Sequence, residues 1–510
     1  MNSESTFTFF TERKMPLYFG LLSGFCIALV FGAVLSDSGL DKFAYVVLLF
    51  AICSSPLLSV VKPNDAFMIL SVTMAMYFVE FGLLDAVSIF SPAKRQPSVG
   101  SLINAAEVLL MVGALAKIAG FHVGARIGRS GRGERALKDW PPTVVASAGL
   151  GLWVLGNTAG LYQDMVLQVE NTSASVLSGY TYLGQWGSAV LILTAKYLGP
   201  LGIVMLAYWW TINPTRKSAL SMIALIATQF VIGWVVDTKE TALSAPVIIL
   251  LTRFIVNGRV RWPLVLSMVI GIALVFPILT AKRMIMTEGM HLNRAEALEH
   301  TAEIVWRSIQ ERNSARNGKF GQSTQTLFER LNDKGAVELF VSHVGVDKPY
   351  KYGATLEPLL YAFIPRIAWS DKPGDNAAQT FNRDFQLSED ADTYMSPTHI
   401  GELYWNFGYP GAIVGMVILG ALLGYTCARS DLSNGASMTR ALIIIVTVHN
   451  VALRGGGQIE LQYVLWLRTL ALIWVLDRII ARPIAKTNLP ETGMEPFSQP
   501  ALIRFTNLMR

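Results

Sequence analysis

The stretch LINAAEVLLMVGALAKIAGFHVGARIGRSGRGERALKD, residues 102–139, decides the fold class. Its first part, residues 102–121, is apolar over about the 20 residues that a helix needs to cross a bilayer. Its second part carries a run of basic side chains, namely Arg126, Arg129, Arg132, Arg135 and Lys138. An apolar run that leads into a basic loop is typical of a transmembrane helix that ends on the cytoplasmic side.

The same pattern of long apolar runs extends along the chain. Of its 510 residues 52% are hydrophobic and 15% are charged, whereas about a quarter of the residues in soluble proteins are charged. Apolar runs of spanning length lie near 16–35, 43–61, 65–84, 102–121, 142–160, 183–211, 219–236, 241–257, 263–280, 409–427, 439–453 and 461–479. The sequence therefore predicts an all-α polytopic membrane protein with about 12 transmembrane helices.

The basic loops also predict the orientation. Residues 213–217 and 257–261 are basic like residues 122–139, and placing all three loops in the cytoplasm puts both termini there. We expect an N-terminal bundle of about nine spans in 1–280, one large periplasmic loop in 281–406, about three spans in 407–480, and a disordered cytoplasmic tail in 481–510. The expected location is the inner membrane of a bacterium.

The large loop is the only soluble-sized part of the chain. Its composition predicts helices of its own. Residues 353–369 are apolar, yet they are too few to span and contain prolines. Such a segment is expected to be re-entrant or interfacial, because irregular backbone does not face lipid.

Motifs for cofactor-driven chemistry are absent from the sequence. There is no phosphate-binding Gly-x-x-x-x-Gly-Lys-Ser/Thr loop, no Gly-x-Ser-x-Gly turn and no His/Cys spacing typical of zinc. We therefore predict no cofactor and no metal. The net charge of +6 is explained by cytoplasmic loops, so no nucleic-acid partner is expected. A reaction in this setting would need an activated, lipid-linked substrate.

Several cations lie near the expected outer face. They are Arg366, Lys372, Arg454, Lys239 and Arg283. Arginine binds phosphate oxygens through two N–H groups, and lysine binds them as a point charge. A Lys or Arg at the end of a span more often extends to the interface than binds substrate. Arg366 lies between Pro365 and an apolar stretch, where that explanation does not apply.

The stretch SPTHIGELYWNFGYPG, residues 396–411, precedes the tenth apolar run. His399, Glu402 and Asn406 share one face if this stretch is helical. The surrounding aromatic residues are expected to form a belt at the membrane interface. A buried carboxylate beside a histidine fits a general base for a sugar hydroxyl. It also fits a capping or structural pair, and the sequence leaves both interpretations open.

Residues 350–385 and 396–424 resemble the bacterial O-antigen and exopolysaccharide repeat-unit polymerases of the Wzy type. The similar elements are Gly353 with the apolar stretch after it, Pro365-Arg366, Trp369, Lys372-Pro373, Phe381, Gly401-Glu402 and Asn406-Phe407-Gly408. The late position of the large loop and Arg454 in the penultimate loop are also similar. The motif region covers about 60 residues, roughly an eighth of the chain.

The resemblance implies a GT-C-like glycosyltransferase that depends on a lipid carrier. Such an enzyme joins undecaprenyl-pyrophosphate-linked oligosaccharide units at the periplasmic face and often works beside a chain-length regulator. Arg366, Glu402 and His399 would then be catalytic, and Lys372, Arg454, Lys239, Arg283 and Asn406 would bind substrate. Two alternatives stay open. One is an O-antigen ligase that transfers glycan to lipid A core, and the other is a transporter or flippase of lipid-linked glycan.

Overall fold

The computed structural model describes part of the chain. The described residues are 14–35, 42–60, 66–89, 103–130, 138–162, 194–236, 239–257, 265–266, 333–361, 364, 369, 377–388, 394–430, 437–454, 456–480 and 482–483. Within these residues the protein is almost entirely helical, so the prediction of an all-α fold class is confirmed at that level.

The described part of residues 1–280 consists of nine α-helices. They are α1 (Lys14–Leu35), α2 (Phe43–Ser54), α3 (Ala66–Phe81), α4 (Leu83–Ser88), α5 (Ala105–Ser130), α6 (Pro142–Leu161), α7 (Gly199–Ile212), α8 (Arg216–Val236) and α9 (Lys239–Asn257). A 3₁₀ turn, Ser55–Ser59, extends α2, and a π turn, Thr194–Leu198, leads into α7.

The rest of the described chain adds six helices. They are α10 (Lys334–His343), α11 (Pro358–Tyr361), α12 (Ala377–Phe385), α13 (His399–Arg429), α14 (Met438–Thr447) and α15 (Ile459–Ile480). A π turn, Val448–Ala452, continues α14. β-Strands in the described residues are limited to β1 (Lys138–Asp139) and β2 (Arg482–Pro483), which pair antiparallel.

Five helices in the described residues, α5, α6, α8, α13 and α15, are long and apolar enough to cross a membrane. Six shorter apolar segments lie at or near other predicted spans: Tyr18–Phe31, Phe43–Ser59, Ala66–Phe81, Gly199–Ile212, Thr241–Asn257 and Met438–Ala452. The predicted span 263–280 lies outside the described residues except for 265–266. Long apolar helices of this kind are typical of a membrane protein.

Helices α5 and α13 form the most extensive helix–helix contact of the described chain. A Cβ on Gly120 would lie 2.0 Å from the carbonyl oxygen of Val417, and one on Gly124 would lie 1.9 Å from that of Ala421. Residue numbers rise together along both helices, so the two run parallel. Glycines four residues apart allow this close backbone approach, as in membrane helix pairs.

Helix α13 is bent where the sequence changes from polar to apolar. Gly408 has φ +66° and ψ −158°, and Pro410 follows it. A proline removes a helical hydrogen bond and a glycine tolerates positive φ. Two helical segments therefore meet at Gly408, and the later one coincides with the predicted span 409–427.

Candidate functional site

Three segments of the chain meet at residues 454–458, which we call the glycine turn and in which Gly455 lies outside the described residues. The Ser396 hydroxyl donates to the carbonyl of Gly456. The amide N–H of Ala378, in the first turn of α12, donates to Gln458 Oε1 at 3.0 Å. Helix α15 begins directly after the turn, at Ile459. The turn thus joins the start of α12 and the segment before α13 to the bundle.

Glycine in this turn leaves space that the ends of two other side chains occupy. A Cβ on Gly456 would lie 1.7 Å from Asp333 Oδ2, and a Cβ on Gly457 would lie 1.5 Å from Gln462 Nε2. Neither distance is compatible with a real Cβ. The glycines therefore let Asp333 and Gln462 approach the backbone.

Glu402 is buried, with 0% of its surface exposed, and both of its carboxylate oxygens accept hydrogen bonds. The Thr355 hydroxyl donates to Oε1 at 3.0 Å. The amide N–H of Ile459 donates to Oε2 at 2.8 Å. The first N–H groups of a helix have no partner within the helix, and a carboxylate there is favoured by the helix dipole. Glu402 therefore fixes the start of α15 to the start of α13.

Asn406 extends the same network to the segment before α11. Its Oδ1 accepts from the amide of Gly353 at 2.8 Å. Its Nδ2 donates to Thr355 Oγ1 at 2.6 Å and to the Glu402 carbonyl at 2.7 Å. Backbone amides of Lys351 and Tyr352 also donate to the carbonyls of Trp405 and Asn406, at 3.0 and 3.1 Å. Residues 351–355 are thus held directly against the first turns of α13.

His399 lies on the same side of α13 as Glu402 but contacts a different part of α15. Its Nε2 lies 2.8 Å from Gln462 Oε1, and its ring lies 5.6 Å from that of Tyr463. His399 is 1% exposed. Thr398, just before it, has φ +61° and caps the helix by accepting from the amide of Gly401. Positive φ is rare for a β-branched residue, so this entry into α13 is tightly determined by its surroundings.

Lys117 is a charged residue that the sequence analysis missed. It lies midway along α5 and is 1% exposed. It interacts electrostatically with Glu80 of α3 and with His399. Ionisable groups inside an apolar helix are costly and usually serve a function. A lysine within the apolar run 102–121 was the signal that could have identified it.

A second missed group, which we call the Lys334 cluster, lies where α10 meets the bundle. The Lys334 ammonium lies 2.6 Å from Asp85 Oδ2 and 2.5 Å from Glu107 Oε1. Lys42 lies 2.5 Å from the other oxygen of Asp85. Burial alone would lower the pKa of Lys334, but Asp85 and Glu107 outweigh it and raise the pKa. Lys334 therefore anchors α10 to the bundle as a buried cation.

Of the predicted site residues, the structure brings His399, Glu402 and Asn406 together at one end of the bundle. Arg454 lies in the glycine turn and is partly buried, and burial lowers the pKa of its guanidinium. Lys239 begins α9, and its side chain is not described. Arg366, Lys372 and Arg283 lie outside the described residues. The side chains of Glu402 and Asn406 contact Gly353 and Thr355 in the segment before α11.

The expectation of an aromatic belt around the start of α13 needs a correction at Trp405. This side chain is 0% exposed. It packs against Phe340 at 5.2 Å, Phe381 at 6.0 Å and Phe385 at 6.0 Å between ring centroids. Helices α10 and α12 supply these rings and cover it. Phe407 and Tyr409, in contrast, are 46% and 38% exposed.

The carboxyl group of Asp333 should make stability depend on pH. Burial raises its pKa to about 7 from the ordinary 3.8. The folded state then binds this proton more tightly than the unfolded chain. Its contribution to stability is complete below pH 3.8 and is lost as pH rises through about 7. We expect Asp333→Asn to remove this dependence, so Tm of the purified protein should fall less between about pH 5 and pH 8 than in the wild type. If Tm changed with pH in the same way in both proteins, Asp333 would not be the source of the pH dependence.

Comparison with known proteins identifies the family of this chain. No curated protein and no solved structure matches the chain. Residues 199–481 match the family described as "Domain of unknown function (DUF8712)". That match begins at α7, ends just after α15, and includes His399, Glu402, Asn406 and Arg454. It covers more than half of the 510 residues, and the chain therefore belongs to the DUF8712 family.

Proposed function

We propose that the protein is a membrane glycosyltransferase of the polysaccharide polymerase type. It would join undecaprenyl-pyrophosphate-linked oligosaccharide units into a surface or extracellular polysaccharide at the periplasmic face of the bacterial inner membrane. One observation carries the proposal: two parts of the motif region, 53 residues apart, meet through the Gly353–Asn406 hydrogen bond of 2.8 Å. Gly353 and Asn406 lie at the start of α13, one end of the apolar helical bundle, and this contact supports the proposal.

The direction of the helices supports the proposed topology of about 12 spans. The parallel pair α5 and α13 is expected if both cross from the periplasm to the cytoplasm. The β1–β2 pair joins residues 138–139 to 482–483, both of which the proposal places in the cytoplasm. The Lys334 cluster, the glycine turn and the start of α13 all fall on the opposite, periplasmic side.

In this proposal a hydroxyl oxygen of the acceptor sugar attacks the anomeric carbon of the donor glycan. The bond from that carbon to the pyrophosphate oxygen breaks, and the lipid pyrophosphate leaves with the electron pair. The hydroxyl proton passes to Nδ1 of His399, whose other nitrogen is held by Gln462. Arg454, with Arg366 and Lys372, stabilises the charge on the departing pyrophosphate, which is usually a large part of catalysis.

Glu402 is a positioning residue in this scheme. Both of its oxygens already accept hydrogen bonds, from Thr355 and from the amide of Ile459. This geometry favours His399 over Glu402 as the base that removes the proton. Asn406 and Thr355 hold the 351–355 segment beside it.

The activity can be tested with the purified protein in lipid vesicles. The probe is lipid-linked oligosaccharide extracted with butanol from cells that lack this protein. We expect a ladder of longer glycans on the lipid carrier. Elongation only after lipid A core is added would indicate the ligase, whereas movement of the lipid across the bilayer without a new glycosidic bond would indicate the flippase. No product of any kind would refute the proposed function.

The role of His399 can be separated from that of Glu402. His399→Gln should lower the elongation rate by about 10²–10⁴-fold, the usual contribution of a general base. Glu402→Gln keeps an oxygen that can accept from Ile459, so its rate should stay within about tenfold of the wild type. A larger loss in Glu402→Gln than in His399→Gln, with both proteins folded, would assign the base to Glu402 instead, and equal losses would refute His399 as the sole base.

A further inference from the structure

Two buried polar atoms near the start of α13 have no hydrogen-bond partner among the described residues. They are Nδ1 of His399 and the hydroxyl of Tyr463. Their side chains belong to residues that are 1% and 4% exposed, and their rings lie 5.6 Å apart at an angle of 59°. A buried polar atom without a partner is rare because it loses its hydrogen bonds to water.

The hydrogen bonds that the two side chains already make define what they can bind. His399 Nε2 lies 2.8 Å from Gln462 Oε1, so this nitrogen donates its proton to the amide oxygen. The imidazole is enclosed and interacts with the nearby Lys117 ammonium, which makes the neutral ring the consistent form. Nδ1 is then an acceptor only. The Tyr463 hydroxyl can donate.

We propose that His399 and Tyr463 together bind one hydroxyl group, that of the acceptor sugar, and that Tyr463 is a substrate-binding residue. This proposal rests on the proposed function. A hydroxyl both donates and accepts, so it can donate to Nδ1 and accept from Tyr463 at the same time. An ether oxygen cannot donate, and an ammonium cannot accept. The pair therefore selects a free sugar hydroxyl over a glycosidic oxygen.

The effect on Tm of removing a tyrosine hydroxyl distinguishes a substrate-binding residue from a structural one. Tyr77, which serves as a control, is also buried, and its hydroxyl donates to the carbonyl of Leu110 at 2.9 Å. Removing a partnered hydroxyl leaves a buried carbonyl with one hydrogen bond fewer and destabilises the fold, whereas removing an unpartnered one does not. Tyr463→Phe should therefore keep or raise Tm, while Tyr77→Phe should lower Tm.

The experiment measures elongation by full-length protein in vesicles, with lipid-linked oligosaccharide extracted by butanol from cells lacking the protein. We expect Tyr463→Phe to raise the apparent KM for this oligosaccharide by about five- to tenfold, the value of one neutral hydrogen bond. Its kcat should stay within about twofold of the wild type, because uniform binding changes KM. Tyr77→Phe should keep the wild-type KM. An unchanged KM in Tyr463→Phe would overturn the proposal.

Two further readouts identify the bound hydroxyl and separate this proposal from the proposed function. Release of free oligosaccharide measures attack by water. If Tyr463→Phe lowered this release as much as it lowered elongation, the bound hydroxyl would be that of water, and the assignment to the acceptor sugar would be wrong. Nitrogen-15 NMR of labelled histidines, with His399→Gln used to assign the signal, should show a shift of Nδ1 when the oligosaccharide is added. A shift without elongation would refute the polymerase activity and support the hydroxyl-binding site. Elongation without a shift would support the polymerase activity and refute the hydroxyl-binding site.

Discussion

Replacing Lys334 by methionine should destabilise the folded protein by about 3–5 kcal/mol, the usual cost of breaking a buried ion pair from one side. Lys334 is 3% exposed and lies within hydrogen-bond distance of both Asp85 and Glu107. Methionine fills the space of the lysine stem but leaves the two carboxylates facing each other. Among the described residues Lys42 pairs with Asp85 and not with Glu107, so it balances only one of the two carboxylates. Thermal unfolding in detergent, followed by tryptophan fluorescence, measures the loss.

Lys42→Met is the matched control for this prediction. The Lys42 side chain is 50% exposed, and an exposed ion pair contributes about 1 kcal/mol or less. A second test restores the balance of charge. Glu107→Gln in the Lys334→Met background removes one unpaired carboxylate. The amide N–H of Asn104 donates to Glu107 Oε2 at 2.9 Å, and a glutamine oxygen can still accept this hydrogen bond. We expect part of the lost Tm to return. Equal effects of Lys334→Met and Lys42→Met would contradict the role of Lys334 as a buried anchor.

The helical fold class could be predicted because apolar runs are a local property of the sequence. The segment 102–121 predicted a helix, and α5 covers Ala105–Ser130. The bend at Gly408 and the burial of Trp405 could not be predicted in the same way. Trp405 is covered by Phe340 and Phe381, which lie far from it in sequence. A tryptophan next to a span gives the same sequence pattern whether it lies in an interfacial belt or in a buried core.

The site was predictable where residues on one helix define it and not where distant segments complete it. The spacing of His399, Glu402 and Asn406 correctly indicated one face of a helix. Their partners are Thr355, Ile459 and Gln462, and no local pattern links these residues to α13. For the same reason the structural explanation of Glu402 could not be separated from the catalytic one in advance. Both of its hydrogen bonds come from other segments.

The run of three glycines at 455–457 is visible in the sequence, but it fits no nucleotide-binding motif and no local pattern explains it. Its role is steric: Gly456 and Gly457 leave room for Asp333 and Gln462. Gln462 in turn holds His399. The space left by Gly457 therefore bears directly on the orientation of the proposed base.

Gly124→Ala should weaken the α5–α13 pair more than an ordinary small-to-large change does. The new Cβ would lie 1.9 Å from the carbonyl oxygen of Ala421, a backbone atom that cannot rotate away. The helices would have to separate by more than an ångström, which also disturbs the contacts of Gly120 and Gly420. Overpacking a core site typically costs about 1–3 kcal/mol, and we expect a loss at or above the upper end of that range. Tm in detergent measures it.

Gly151→Ala is the matched control, because it makes the same chemical change in another long apolar helix. Among the described residues, nothing lies within 4 Å of a Cβ at Gly151. Alanine stabilises the interior of a helix by about 0.5–1 kcal/mol relative to glycine, so this variant should keep or raise Tm. The difference between the two variants isolates the packing of α5 on α13 from helix propensity. If Gly124→Ala behaved like Gly151→Ala, the close parallel contact would be wrong, and with it the support that this contact gives to the proposed topology.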